Sequence, residues 1–338
     1  MNKLILSLDG GGIRGAATSQ FLMKVEHALF KQHNKHIRDC VDFYAGTSTG
    51  SIIALALATT DLTIEEINKL YNYSNAKIIF SENEGWFEID GVNAPKYEAS
   101  GKTRLLKQKF EKARISDVPE GKHVLAVAYG IEKRKPVVIK STDDEHKSIL
   151  SFQVADASSA APTYFPTTNL ALPPDNDEHW LIDGGVIANN PTMCAIAEAK
   201  REWQGISIDD ICVLSIGTGY RTRKINGPES KKWGTLQWMT KGNIIDVLSD
   251  ERVVDYQART ITKDGNYIRV NAELRTQEGL PNSPDDAMDD ISKTNIKKLK
   301  ALGDFWFKKY GDATVAFLAG QYDGPSLKHV NPQDGSIS

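Results

Sequence analysis

Short unbroken apolar runs alternate along this chain with segments whose apolar residues recur every three or four positions. Residues 4–8 form the first run and read as a buried strand, ending at Asp9 and the loop Gly10-Gly11-Gly12-Ile13-Arg14-Gly15. Phe21, Leu22, Val25 and Leu29 then recur at helical spacing. Residues 41–45 read as a second buried strand, and Gly46-Thr47-Ser48-Thr49-Gly50 turns from it into an apolar helix over 52–58. Thr63-Ile64-Glu65-Glu66 has the capping-box spacing and predicts another helix start. Residues 81–101 are polar, contain glycine, and read as a surface excursion.

Further strands are expected at 123–128, 136–140, 180–182, 211–216 and 267–270. Helices are expected at 154–161, stopped by Pro162, and at 192–203, 242–260 and 290–309. The residues after Gly320 are rich in Pro, Gly, Asp and Asn and are expected to be irregular. Strands alternating with helices predict an α/β fold with a mainly parallel sheet. There is no internal repeat, and composition barely shifts at 221–235, where a boundary would fall most naturally. The expectation is one domain over 1–320, with its chemistry-bearing motifs within 4–196, and an irregular tail over 321–338.

Composition narrows the function classes. The 338 residues are 40% hydrophobic and 25% charged, with formal net charge −3, which suits a protein with a sizeable core. The strongly basic footprint of a nucleic-acid polymer binder is absent. Cys40, Cys194 and Cys212 are too few and too irregularly spaced for a disulfide framework or zinc site. They read as buried free thiols in a chain suited to a reducing, cytoplasmic compartment. The N-terminal apolar run is too short for a signal peptide, and no segment approaches the roughly 18 apolar residues that span a bilayer. Contact with lipid is therefore expected to be peripheral.

Chemistry concentrates in three loops. Gly46-X-Ser48-X-Gly50 lies between a buried strand and an apolar helix, a context that holds a serine hydroxyl clear of the backbone with helix N-terminal amides nearby. The bare pattern also occurs as a small-residue turn. A serine hydroxyl needs a base. Of the seven histidines, His27, His33 and His36 lie on or just after the first helix among charged neighbours, and only His329 follows the candidate acid, in the irregular tail. No third member of a triad is evident, so a carboxylate would have to take the proton directly. Asp183 ends an apolar strand before Gly184-Gly185, although an Asp-Gly turn with a self-bonding side chain has the same appearance.

The third loop, residues 9–15, places backbone amides at a helix start, where they bind anions. It contains Gly10-X-Gly12-X-X-Gly15, so a nucleotide-binding module without hydrolase activity is the rival reading. Against a dinucleotide fold, no acidic residue closes a second strand about 20 residues on, and no Lys-Ser/Thr completes a triphosphate loop. An oxyanion hole is the better use of these amides.

Together the loops resemble the patatin-like phospholipases, whose signature is D-G-G-G-x-R-G, then G-x-S-x-G, then D-G-G or D-G-A. The resemblance extends to Ala157–Phe165, Ala188-Asn189-Asn190-Pro191, Ser215–Gly219 and, more weakly, Met288-Asp289-Asp290. It covers residues 4–220 and reaches thinly to 320. It implies a three-layer α/β fold and a Ser-Asp dyad without histidine. Ser48 would be the nucleophile on an elbow flanked by Gly46 and Gly50, and Asp183 the base. Gly11 and Gly12 would be the oxyanion donors, with Gly10 and Arg14 shaping the loop. Ser51 departs from many plant storage relatives, which have glycine there, and leaves less room at the helix start.

The implied substrates are acyl lipids such as phospholipids, lysophospholipids or galactolipids, with no cofactor and no metal. Ile78, Ile79, Phe80, Trp86 and Phe87 would rim the acyl site, touch a membrane, or pack beneath a loop. Some bacterial relatives are anti-phage effectors that stay inactive until a cyclic dinucleotide binds, and the resemblance fits these and housekeeping lipases alike. A homo-oligomer is left open.

Overall fold

Apolar residues on both sides of a strand require a layer of helices on each face of the sheet. The computed structural model describes residues 2–83, 94–173, 177–222, 224–241 and 250–337. The strands are β1 (Lys3–Leu8), β2 (Phe43–Thr47), β3 (His123–Gly130), β4 (Lys135–Lys140), β5 (Thr168–Leu172), β6 (Asp177–Asp183), β7 (Ile211–Ile216) and β8 (Tyr267–Val270). They form one sheet in the order β5-β6-β3-β2-β1-β7-β8, with β4 also paired to β3. The centre is parallel, through β3-β2, β2-β1, β1-β7 and β7-β8. One side is antiparallel, through β3-β4, β3-β6 and β5-β6. The expected fold class holds.

The principal helices are α1 (Gly15–His33), α2 (Thr49–Thr59), α3 (Ile64–Lys69), α4 (Ala99–Phe110), α5 (Ser151–Ser158), α6 (Thr192–Glu202), α7 (Arg252–Ile261) and α8 (Lys293–Ala319). Alternation along the strands divides two cores. Leu4, Leu6 and Leu8 face the larger core with α1, α2 and α8, whereas Ile5, Phe43, Ala45, Leu125 and Val127 face the smaller core with Ala195 and Ala199 of α6. The apolar run in α2 is buried along its whole length, so the helix is apolar all round. Among the described residues no helix is long and apolar enough to cross a membrane.

The capping box is formed: Thr63 Oγ1 accepts from the Glu66 amide, and Glu66 accepts from the Thr63 amide. Helix α8 runs ten residues past the expected end, because buried Tyr310, Thr314, Phe317 and Leu318 continue its inward face until Gly320 ends it in left-handed geometry, φ 74°. Helix α5 lies slightly earlier than expected, and α7 is seen from Arg252 onward; residues 242–249 lie outside the described residues.

The reading of 81–101 as a surface excursion is corrected where described. Tyr97 and Gly101 are buried, and α4 begins at Ala99, because Tyr97 packs on Phe80 and Phe165. The thiols are half-buried rather than buried. The sheet runs unbroken across 221–235 through the β7-β8 pairing. Among its described residues the tail has no helix or strand, yet Leu327 and Val330 bridge to Ile268 and Ala272, and Val330 is fully buried.

Candidate active site

The edge of β3 brings the site together. Strand β2 runs parallel to β3 and ends with Thr47 opposite Val127. Strand β6 runs antiparallel to β3 and ends with Asp183 opposite Ala128. The two strands therefore meet end to end along one edge of β3, their C-termini adjacent, while β4 takes the other edge. Ser48 follows the first strand and Asp183 closes the second.

Ser48 has φ 53° and ψ −125°, a conformation that non-glycine residues adopt only when their surroundings enforce it. The enforcement is visible. The Ser48 amide donates to Ser158 Oγ at 3.0 Å, and the Ser158 hydroxyl donates onward to Val127 O at 2.6 Å. The Ser48 carbonyl accepts from the Ser51 amide and hydroxyl at 2.9 and 2.6 Å. Ser51 therefore ties down the elbow as well as occupying space. A Cβ on Gly50 would strike Leu8 O, so that glycine permits the close approach of elbow and β1.

The Asp183 carboxylate is buried beside Ser48. Burial pushes its pKa up to about 6, against the pull of hydrogen bonds from Ser48 and the Gly185 amide and of the Lys102 cation. The Gly185 amide donates to Asp183 Oδ1 at 2.7 Å, and the Asp183 amide donates to Ala160 O at 3.0 Å. Lys102 on α4 is only 2% exposed. Its ammonium bonds Asp156 O and Ser159 O at 3.0 Å and Ser159 Oγ at 3.1 Å, pairs with Asp156 Oδ1, and lies 4.6 Å from the Phe165 ring centroid. It thus holds the segment that bonds the Ser48 amide through Ser158 and the Asp183 amide through Ala160.

In the glycine loop, Thr218 Oγ1 donates to Gly10 O at 2.8 Å, and Gly11 O accepts from the Arg14 amide at 3.1 Å and Nε at 3.3 Å. A trans peptide points its N–H away from its C=O, so drawing these carbonyls aside turns the Gly11 and Gly12 amides the opposite way. Both residues line the cavity that holds Ser48, and among the described residues neither amide has a protein acceptor. The Gly10 amide is committed to Asn189 O at 3.0 Å, which leaves Gly10 a shaping residue and not a donor. Gly12 needs its positive φ of 57°. Beneath the loop, the buried Asp9 carboxylate pairs with the equally buried Arg269 of β8, which also pairs with Glu251 and donates to Ser215 Oγ at 2.7 Å.

The cavity measures about 930 Å³. Ser48, Asp183, Gly11, Gly12 and Arg14 are at its polar end, and Ile52, Leu70, Ile79, Phe80, Leu105, Leu106 and Phe165 supply apolar wall. Ile79 and Phe80 thus join the site, whereas Trp86 and Phe87 lie outside the described residues. All seven histidines are described and none lines the cavity. The His329 ring lies against Tyr220, 5.3 Å between centroids, and burial lowers its pKa. Sequence reasoning assigned no role to Ser158, Thr218 or Asn189, although each stands in a small-residue motif. It missed Lys102 and Arg269 outright, because a buried lysine or arginine carries no mark in its neighbours.

A buried serine sharing a cavity with a buried carboxylate, two unengaged amides and an apolar wall can attack an ester, hold the resulting oxyanion and lodge a hydrocarbon chain. The family profile of the patatin-like phospholipases matches residues 6–196. Patatin-like protein 2 of Arabidopsis thaliana is 30% identical over 345 residues, covering 90% of this chain and 83% of its own. Patatin-like protein 2 of Oryza sativa subsp. indica is 28% identical, and Patatin-03 of Solanum tuberosum is 26% identical. Each covers 90% of this chain and 84% of its own. Among solved structures, VipD from Legionella pneumophila is similar at TM-score 0.41 and 14% identity, over 90% of this chain and 67% of that one, a likeness too loose to argue from.

Proposed function

The chain belongs to the patatin-like phospholipase family and is a lipid acyl hydrolase, and from this premise we propose that it cleaves membrane acyl lipids through a Ser48-Asp183 dyad and an acyl-enzyme. The observation that carries the reading is the meeting of β2 and β6 on one edge of β3, which puts Ser48 and Asp183 in the wall of one cavity, beside apolar side chains and with no histidine lining it.

Ser48 Oγ attacks the ester carbonyl carbon while its proton passes to Asp183. The Gly11 and Gly12 amides receive the oxyanion. The tetrahedral species collapses, the alcohol leaves with the proton from Asp183, and the acyl group remains on Ser48. Asp183 then takes a proton from water, whose oxygen attacks the acyl carbon. Collapse frees the fatty acid and returns the proton to Ser48. The apolar wall suits the acyl chain, and peripheral contact with the bilayer delivers the substrate.

Mixed phospholipids incubated with the purified protein, with and without a panel of cyclic dinucleotides, should release fatty acids. Activity that appears only with a dinucleotide supports the switched-effector form of this reading, and full activity without one removes it. A fluorophosphonate should label the wild type and not Ser48→Ala. Hydrolysis retained by a folded Ser48→Ala protein sinks the mechanism. Nucleotide affinity that survives Ser48→Ala but is lost in glycine-loop variants would favour the rival binding module.

A further inference from the structure

We infer that residues 225–241 and helix α7 form a face that seats the protein on a bilayer rich in anionic lipid, with the cavity mouth turned to the membrane. The inference rests on the lipid-hydrolase reading above and adds where, and to which surface, the enzyme docks.

Charge is the first observation. Within residues 225–241 three exposed lysines, Lys231, Lys232 and Lys241, stand against one acidic residue, Glu229, in a chain whose net charge is −3. Glu229 pairs with Lys241 at 2.9 Å. A local basic excess on an otherwise acidic protein is complementary to the negative surface of anionic bilayers.

The second observation is apolar. Trp233 and Trp238 pack edge to face, 5.4 Å between centroids, with Trp238 37% exposed and Leu236 beside it 69% exposed. Helix α7 turns Asp255 and Ala258 inward, and the Asp255 carboxylate accepts from Tyr267 OH at 2.7 Å. On its opposite face Val253 and Tyr256, one helical turn apart, are 62% and 61% exposed. Tryptophan and tyrosine set among lysines are the side chains that settle at a membrane-water interface.

The third observation is position. Tyr220, Arg221, Asp250, Glu251 and Arg252 all line the cavity. The lysine-bearing segment follows the lining residue Arg221 in the chain, and α7 begins at the lining residue Arg252. A lipid lifted at this face is therefore delivered to the mouth of the chamber that holds Ser48. A second copy of the chain is the less fitting occupant, since a two-fold contact would set the cluster of cations against itself.

Flotation with vesicles of non-hydrolysable diether lipids tests the assignment, using phosphatidylcholine alone and phosphatidylcholine mixed with phosphatidylglycerol. The wild type should bind the mixed vesicles preferentially and be released by salt. The pair Lys231→Glu with Lys232→Glu should lose roughly tenfold or more of that binding. The pair Val253→Asp with Tyr256→Asp should lose a comparable amount. Both should keep wild-type hydrolysis of a soluble short-chain ester, which shows that they are folded. Unchanged vesicle binding in both variants, or equal wild-type binding to the two vesicle types, overturns the docking face. So does a change in oligomeric state with vesicle binding unaltered, which would make the face a protein interface. Absence of soluble-ester hydrolysis in the wild type would instead count against the hydrolase reading, whatever the vesicles show.

Discussion

Asp183 is placed where an ionised carboxylate is costly, and this sets both its reactivity and its price in stability. With its pKa pushed up to about 6 by burial, it is a stronger base than an exposed aspartate and still ionised at neutral pH. Turnover should therefore fall about tenfold per pH unit once the pH drops below about 6, as a pH-rate profile would record. Lys102 pulls that pKa down, so Lys102→Met should shift the acid limb upward as well as lower the rate. An unmoved limb would show that the cation does not act on the base. Because the folded pKa lies above the unfolded one, the protonated form favours folding and stability is lost as pH rises between about 4 and 6. Asp183→Asn should then abolish hydrolysis yet stabilise the fold above pH 6, by up to about 3 kcal/mol. His329→Ala should leave hydrolysis nearly unchanged, since its ring touches Tyr220 and the cavity contains no histidine. A loss in His329→Ala matching that in Ser48→Ala would overturn the dyad.

Single residues act here only because elements hold them. The turn between β2 and α2 stores a positive φ at Ser48, and α5 supplies the Ser158 hydroxyl that accepts the Ser48 amide. Ser158→Ala leaves that amide and Val127 O without their partner, a loss of about 1–3 kcal/mol for a buried polar group. Its expected signature is a kcat reduced roughly tenfold or more at near-constant KM, and a wild-type kcat would remove Ser158 from the positioning network. In the glycine loop, Gly12→Ala puts a Cβ against Met288 O at a φ that alanine resists. Under the proposed mechanism turnover should drop far more than lipid binding, because oxyanion donors act on charge that develops in the transition state. These two turns were legible in advance, since glycines flanking a serine and three glycines before a helix are local patterns. The hydroxyl from α5 was not, because its partner lies more than a hundred positions away.

At the scale of the molecule the last residues close one side of the sheet. The Arg269 amide donates to Leu327 O at 2.8 Å, and Tyr310 OH donates to Lys328 O at 2.8 Å, so the tail braces the strand whose Arg269 holds Asp9 under the glycine loop. Truncation after Gly320 should lower the melting temperature by roughly 5 °C or more and weaken activity through that loop, an effect His329→Ala does not reproduce. Calorimetry on the two proteins separates support by the tail from catalysis by its histidine. Read alone, the sequence determined the strands of the parallel centre, the elbow at Ser48, the glycine loop and the capping box at Thr63. Each is written in residues adjacent along the chain, as periodicity, glycine placement or cap spacing. Only the tertiary structure decided that β6 runs backward along β3 to bring Asp183 beside Ser48, that Lys102 is buried against the segment bonding both, and that Arg269 reaches Asp9 across β7. Strand direction and the burial of a charge arise from pairings between distant segments, and a lysine reads the same in the chain whether water or a protein interior receives it.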